Sequence, residues 1–212
     1  MTSMLRSTLA ALAFTSTVWL TATAAAADDR DACMKESGDE AIAACTRAID
    51  SGRYSGRQLA VLLINRCAEW PEKRENDKAI EDCSQAIQLN PTSAVAFSNR
   101  GHAYYGKGQY DRAIENFNQT IRLKPNYASA FNNRGLAYNK KGQYDRAIED
   151  FSQAIRLNSS DAIAFYNRGI SWELKRDLQR ALADFKKFSE LVPSDPDGPK
   201  AIARVTKALS GR

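Results

Sequence analysis

Between residues 94 and 127 the apolar and small side chains fall into two helical stripes. Phe97, Gly101 and Tyr104 sit at i, i+4 and i+7, the spacing of one helix face. Gly106 and Gly108 interrupt that stripe. Ala113, Phe117, Thr120 and Leu123 then form a second, with Asp111 near its start, where negative charge suits the helix dipole. Lys124-Pro125 ends it, because proline cannot continue a helix and biases the preceding residue away from helical angles. The pattern predicts an antiparallel helix hairpin. Small residues at Gly101 and Ala113 let its helices approach closely, and a larger side chain at either would force them apart.

The same pattern recurs every 34 residues. Phe97–Gly101, Phe131–Gly135 and Phe165–Gly169 all end in Asn-Arg-Gly, and Gly108–Glu115 returns word for word as Gly142–Glu149. A weaker copy reads Leu63-Ile-Asn-Arg-Cys67 and Lys78-Ala-Ile-Glu81. Four units result: 60–93, 94–127, 128–161 and 162–195. Leu63, Phe97, Phe131 and Phe165 hold the first core position, and Trp70, Tyr104, Tyr138 and Trp172 the third. Ala79, Ala113, Ala147 and Ala181 hold the close-approach site on the second helix. Pro91, Pro125 and Pro193 end three units, and Ser159 departs in the remaining one. One such hairpin cannot bury its aromatic stripe alone, so the copies must stack as a solenoid.

These markers resemble the tetratricopeptide (TPR) repeat, strongly over 60–195 and weakly over 28–56. The resemblance implies an all-α solenoid of helix hairpins wound as a right-handed superhelix. Arg66, Arg100, Arg134 and Arg168 depart from it, standing where the family pattern has Leu. Four arginines at one spacing invite reading as an anionic ligand track. Because Asn-Arg-Gly belongs to the repeat itself, the expectation is that their stems pack between helices and their guanidiniums reach a nearby carbonyl or carboxylate.

A solenoid needs ends. Pro199 suits a first helical turn, and Ile202, Val205 and Leu209 form an apolar stripe, so 196–212 reads as a C-terminal capping helix. It would cover the last hairpin, where Phe188 replaces the small residues Ala86, Thr120 and Ala154 of earlier units. Ala41–Ile49 resembles a second TPR helix, but the preceding Asp28–Glu40 is short and polar. Residues 28–59 are therefore expected to be a degenerate N-terminal half-repeat and linker. Residues 1–27 carry one charge, Arg6, then an apolar run from Leu9 to Leu20 and an alanine-rich close before Asp28. That is the pattern of a cleaved signal peptide, and with it comes the expectation of an exported, periplasmic protein with no stable membrane insertion. The alternative is a retained anchor, against which Thr15, Ser16, Thr17, Thr21 and Thr23 argue.

Composition changes this picture little. The 212 residues are 43% hydrophobic and 26% charged, which excludes a disordered or collagen-like chain. Thirty basic and 25 acidic side chains give +5, and loss of Arg6 with the leader leaves 29 − 25 = +4. The basic residues are interleaved with acids and form no stripe with aromatic platforms, so no nucleic-acid partner is expected. The single histidine, His102, argues against histidine metal sites and Ser/Cys–His catalysis. No phosphate loop, nucleophile elbow or His-x-x-x-His pair is present, and Glu81-Asp82 and Glu149-Asp150 read as solvated charged faces. The expectation is a non-enzyme with no cofactor and no metal.

Cys33, Cys45, Cys67 and Cys83 lie in the first part of the chain without a Cys-x-x-Cys. In an exported protein an even number suggests disulfides. Cys67 takes the glycine position of a first helix and Cys83 the phenylalanine position of the facing second helix, while Cys33 and Cys45 flank the Gly38-Asp39 turn. The expected pairs are Cys33–Cys45 and Cys67–Cys83; the alternative is four buried thiols in a reducing compartment.

What remains is a surface. A second stripe on each first helix, offset by one residue from the core stripe, contains Val61, Ile64, Ala68 and Pro71; then Val95, Ser98, His102 and Tyr105. It continues with Ser129, Asn132, Leu136 and Asn139, then Ile163, Tyr166, Ile170 and Glu173. In the TPR family this stripe lines a concave groove that receives an extended peptide or a partner helix. One TPR subclass grips chaperone C-terminal carboxylates through lysines, but the matching positions here are Ile64, Ser98, Asn132 and Tyr166. The resemblance thus implies a protein-binding adaptor of the cell envelope, its partner another protein. Rival expectations are a membrane-tethered structural protein, an accessory binder of a cell-wall ligand, and self-association through 28–56.

Overall fold

The computed structural model describes residues 29–211; the leader expected at 1–27 lies outside them. Residues 29–35 are helical (α1). They are followed by α2 (Gly38–Asp50), α3 (Gly56–Glu69), a 3-10 turn (Trp70–Lys73) and α4 (Asn76–Leu89). Then come α5 (Ala94–Gly106), α6 (Tyr110–Leu123), α7 (Ala128–Lys140), α8 (Tyr144–Leu157), α9 (Ala162–Leu174), α10 (Leu178–Leu191) and α11 (Asp197–Ser210). Consecutive helices pair antiparallel, and each hairpin packs on the next. Among the described residues the architecture is all-α.

Side-chain caps start three of these helices. Ser93 accepts from the Ala96 amide, Asp161 from that of Ala164 and Asp177 from that of Arg180. The turn between the two helices of a repeat needs a left-handed residue. Gly108 and Gly142 supply it with φ 71°, whereas the first and last units place Arg74 (φ 60°) and Arg176 (φ 66°) there at some local strain.

Inside each hairpin a phenylalanine lies on a glycine. Phe117, Phe151 and Phe185 are fully buried, and a Cβ on Gly101, Gly135 or Gly169 would lie 2.8 Å from the facing ring. Phe97, Phe131 and Phe165, expected as the first core position, are only half-buried. The first helices fill the interior with alanines such as Ala96 and Ala103, because these helices also pack against one another and leave no room for rings there.

The N-terminal hairpins replace the Phe–Gly pair by cysteines. Cys67 and Cys83, both fully buried with Cα atoms 5.7 Å apart, stand 34 residues before Gly101 and Phe117. Residues 28–59 hold more than the half-repeat expected from the sequence, since α1 pairs with α2. Buried Ala41, Ala44, Cys45 and Ala48 of α2 match Ala79, Asp82, Cys83 and Ala86 of α4. Cys33 and Cys45 thereby meet at the same place in a shortened hairpin, with Cα atoms 4.6 Å apart. Deleting a buried phenylalanine ring costs about 3–5 kcal/mol. Closing a loop of this length by a disulfide contributes about 3 kcal/mol on the chain-entropy model.

At the other end α11 buries Ala201 and Val205 against Phe185 and Leu178, with Ile202 and Leu209 alongside. Gly198 sits against Phe188, where a Cβ would lie 3.0 Å from the ring. Ser189 Oγ, 2.1 Å from that Cβ position, is also among the buried atoms without a hydrogen-bond partner.

Gly135→Ala is expected to destabilise the protein by about 1–3 kcal/mol, since the new methyl must displace the buried Phe151 ring or part α7 from α8. A urea midpoint equal to that of the parent would show that the close approach is not required.

Candidate protein-binding groove

The first helices touch in series, α3 with α5, α5 with α7 and α7 with α9, whereas α4, α6, α8 and α10 make no comparable set of contacts with one another. Helices that approach on one side and splay on the other define a curved stack. Its inner, concave face is made by α3, α5, α7 and α9.

The repeated arginines hold this stack in register. Arg66, Arg134 and Arg168 each bind a carboxylate of their own second helix through Nε and Nη2: Asp82 (2.8 and 2.7 Å), Asp150 (2.8 and 2.6 Å) and Asp184 (2.8 and 2.8 Å). The remaining Nη1 donates to the second helix of the preceding hairpin, at Thr46, Asn118 and Ser152 respectively. Arg100 makes the same reach to Ser84, but its own-hairpin partner is the amide of Asn116. The arginines therefore form internal staples and no anionic track. The same geometry corrects the reading of Asp82 and Asp150 as solvated: each is 5% exposed, drawn inward by its arginine. Burial pushes the Asp150 carboxyl above its ordinary value against the pull of Arg134. Burial also leaves Arg100, which faces no carboxylate, below the ordinary arginine value.

A second ladder runs along the turns. Lys107 pairs with Asp77, Lys141 with Asp111 and Lys175 with Asp145, and Lys73 reaches Asp39 at 2.9 Å. The aspartates are largely exposed, so each pair contributes little.

The structure disperses the expected groove residues into three environments. Val61, Val95 and Ile163 stand exposed in one register, with Ser129 completing the row. His102 is exposed beside them, and Ile64, Tyr105 and Leu136 are half-buried. Tyr105 packs against Tyr110 at 5.5 Å, and burial raises its phenol above the ordinary value, keeping it a neutral donor. Ser98 is nearly covered, at 7% exposure, and lines the floor of a cavity of about 270 Å³ that Ala68 and Pro71 flank. Asn132 accepts a hydrogen bond from Asn167, and Asn139 exchanges two with Ser171, so those polar groups serve contacts between first helices.

The C-terminal members are not free. Tyr166 packs at a tilt against Phe185 and Phe188, Ile170 packs into the same cluster, and Glu173 binds Arg204 of α11 through both oxygens at 2.7 Å. The capping helix occupies the surface that a further repeat would have offered.

Sequence reasoning missed Asn99 and Asn133. Both line the 270 Å³ cavity with His102 and Ser129, and no hydrogen bond among the described residues engages either amide. The signal was present in the Asn-Arg-Gly triplet, whose Asn recurs as Asn65, Asn99, Asn133 and Asn167. The outcome is a concave face of apolar side chains and amides, in which Glu173 is already paired with Arg204. Among the described residues no group of three or more His, Cys, Asp or Glu could hold a metal.

Comparison with known proteins accords with this geometry. The family profile TPR repeat matches residues 72–108 and 101–142, and the tetratricopeptide repeat profile matches 128–161. The second TPR domain of human RPAP3, solved in complex with the HSP70 peptide SGPTIEEVD, is 30% identical, with TM-score 0.52 over 53% of this chain and 94% of that one. The first TPR of Spaghetti (RPAP3), bound to the HSP90 peptide SRMEEVD, is 26% identical with TM-score 0.54, covering 55% of this chain and 93% of that one. The crystal structure of MamA is 26% identical with TM-score 0.64, covering 72% and 87%. No curated protein matches the chain. The chain belongs to the tetratricopeptide-repeat family, whose domains are protein–protein interaction modules.

Asp150→Ala, which strands Arg134 in a mostly buried site, is expected to cost about 3 kcal/mol. Asn116→Ala, which removes only a neutral partner from Arg100, should cost about 1–2 kcal/mol. Chemical denaturation of the two variants checks the order; an equal loss would mean that the carboxylate adds nothing to the staple.

Proposed function

We propose that the protein is an exported adaptor of the cell envelope that holds a segment of another envelope protein in its concave groove. One observation carries this reading. The concave face combines the exposed apolar row Val61, Val95 and Ile163 with the unengaged amides of Asn99 and Asn133. Apolar anchors bury ligand side chains, and amides can satisfy a ligand backbone by donating and accepting at once. An extended, uncharged segment is the occupant this favours over a helix, whose backbone groups are already paired.

Export is supported by the leader pattern at 1–27 and by the cysteines. We read Cys33–Cys45 and Cys67–Cys83 as disulfides: each pair is buried at a hairpin interface at a Cα separation that such bonds span. Among the described residues no helix is long and apolar enough to cross a membrane.

A photo-crosslinking residue placed at His102 or Ser129 in the native cells is expected to trap one protein partner. The same residue at Glu115 or Glu149, exposed on the outer helices, should not. Adducts arising only from the outer positions would overturn the groove assignment. The acidic peptide SRMEEVD, bound by the RPAP3 domain, should show no saturable binding below about 1 mM, because Ile64, Ser98, Asn132 and Tyr166 offer it no cation. Micromolar binding, read by fluorescence anisotropy, would refute a groove selective for neutral ligands.

A further inference from the structure

The three hairpins α5/α6, α7/α8 and α9/α10 are each centred on a buried phenylalanine ring resting on a glycine. The hairpin α3/α4 has neither. It carries Cys67 at the glycine position and Cys83 at the ring position, both fully buried, and α1/α2 repeats the substitution with Cys33 and Cys45. Two separate thiols fill less space than a ring and attract each other weakly, whereas a covalent link joins the two helices directly. The N-terminal hairpins thus rely on a bond where the later ones rely on packing.

The helix that depends on this bond also builds the binding surface. α3 contributes Val61, Ile64 and Ala68 to the concave face, and Cys67 itself lines the 270 Å³ cavity shared with His102 and Asn133. α3 further carries Arg66, which joins Asp82 on α4 to Thr46 on α2. Tyr105, Leu136 and Ile163 sit instead on hairpins with phenylalanine cores.

We propose that oxidation of Cys67 and Cys83 completes the groove, so that its N-terminal end is assembled only after the two thiols are joined. The biological consequence rests on the groove reading above; the opening of α3/α4 does not. In the step, the Cys67 thiolate attacks the sulfur of an external disulfide, carried by a small molecule or a thiol oxidoreductase, and expels one thiolate from it. The Cys83 thiolate then attacks the Cys67 side of the mixed disulfide and expels the second. The Cys67–Cys83 bond forms, the external disulfide is reduced to two thiols, and the two protons of the cysteines end on those thiols. The reduced chain keeps the part of the groove built on α5–α9 and loses the cavity at α3.

Amide hydrogen exchange on the purified protein, with and without a phosphine reductant, tests this without any ligand. Mass spectrometry of the same samples reports reduction as a gain of roughly 2 Da per pair. On reduction the amides of α3 and α4 are expected to exchange about tenfold faster or more, with α7 to α10 unchanged. The double substitution Cys67→Gly and Cys83→Phe, which transplants the α5/α6 core, should make α3 and α4 indifferent to reductant. A Cys33→Ser, Cys45→Ser variant retains Cys67–Cys83 alone and assigns the response to that pair should the transplant fail to fold. Free thiols with unchanged exchange in α3 and α4 would overturn the proposal. So would a pair that native protein never surrenders to reductant, since that is a permanent brace. Failure of the crosslinking test leaves the exchange result standing, and the reverse also holds, so the two readings fail separately.

Discussion

The close approach of two helices at a residue without a side chain sets the geometry of everything else in this molecule. Gly101, Gly135 and Gly169 let Phe117, Phe151 and Phe185 reach the opposing backbone and disappear from solvent. With those rings held between the helices of one hairpin, the first helices can meet their neighbours through alanines alone. The second helices, which supply the rings, stay farther from one another. Small residues on one side of a stack and large ones on the other make it bend. The concave groove is thus a consequence of where glycine, alanine and phenylalanine fall in the repeat.

Packing of this kind sets distance but tolerates sliding, and the arginine staples supply the missing constraint. A guanidinium fork has enough donors to bind a carboxylate bidentately and still reach a third helix, which a lysine at the same place could not do. Arg66, Arg134 and Arg168 each tie their own second helix to that of the preceding hairpin. Such pairs add less net stability than their geometry suggests, because both charges are taken from water. The raised Asp150 carboxyl reflects that cost. What the staple contributes best is register: a repeat slid along its neighbour would strand a charge in the interior. At Arg100 the partner is an amide, and register there depends on hydrogen bonds alone.

The hairpins and their order were legible in the sequence because their pattern recurs every 34 residues. What failed was the environment of individual side chains. Asp82 and Asp150 look solvated beside Glu81 and Glu149, and only the arginine arriving from the facing helix draws them in. Tyr166 and Ile170 look like groove residues by register, yet α11 packs where a fifth first helix would lie and absorbs them. Asn99 was visible in every copy of Asn-Arg-Gly but carries no periodic contrast, since all units share it. Periodicity reports what repeats, and function at the ends of an array depends on what stops repeating.

The charges of the protein are sorted by face, and that sorting bears on what the groove can accept. Lysine–aspartate pairs run along the turns, arginine–aspartate pairs lie inside the hairpins, and the groove stripe presents Val61, Val95, Ile163, Tyr105 and Asn99. Glu173, its one carboxylate, is closed off by Arg204. A ligand carboxylate placed against Ile64, Ser98, Asn132 or Tyr166 would lose water and find no cation at those positions, a penalty that costs several kcal/mol when unmet. A neutral segment meets no such penalty, and its amide groups find Asn99 and Asn133 with hydrogen-bonding capacity to spare. Selectivity of this sort comes from exclusion as much as attraction. RPAP3 domains of this fold hold acidic peptides, whereas here the four positions Ile64, Ser98, Asn132 and Tyr166 carry no cation for one.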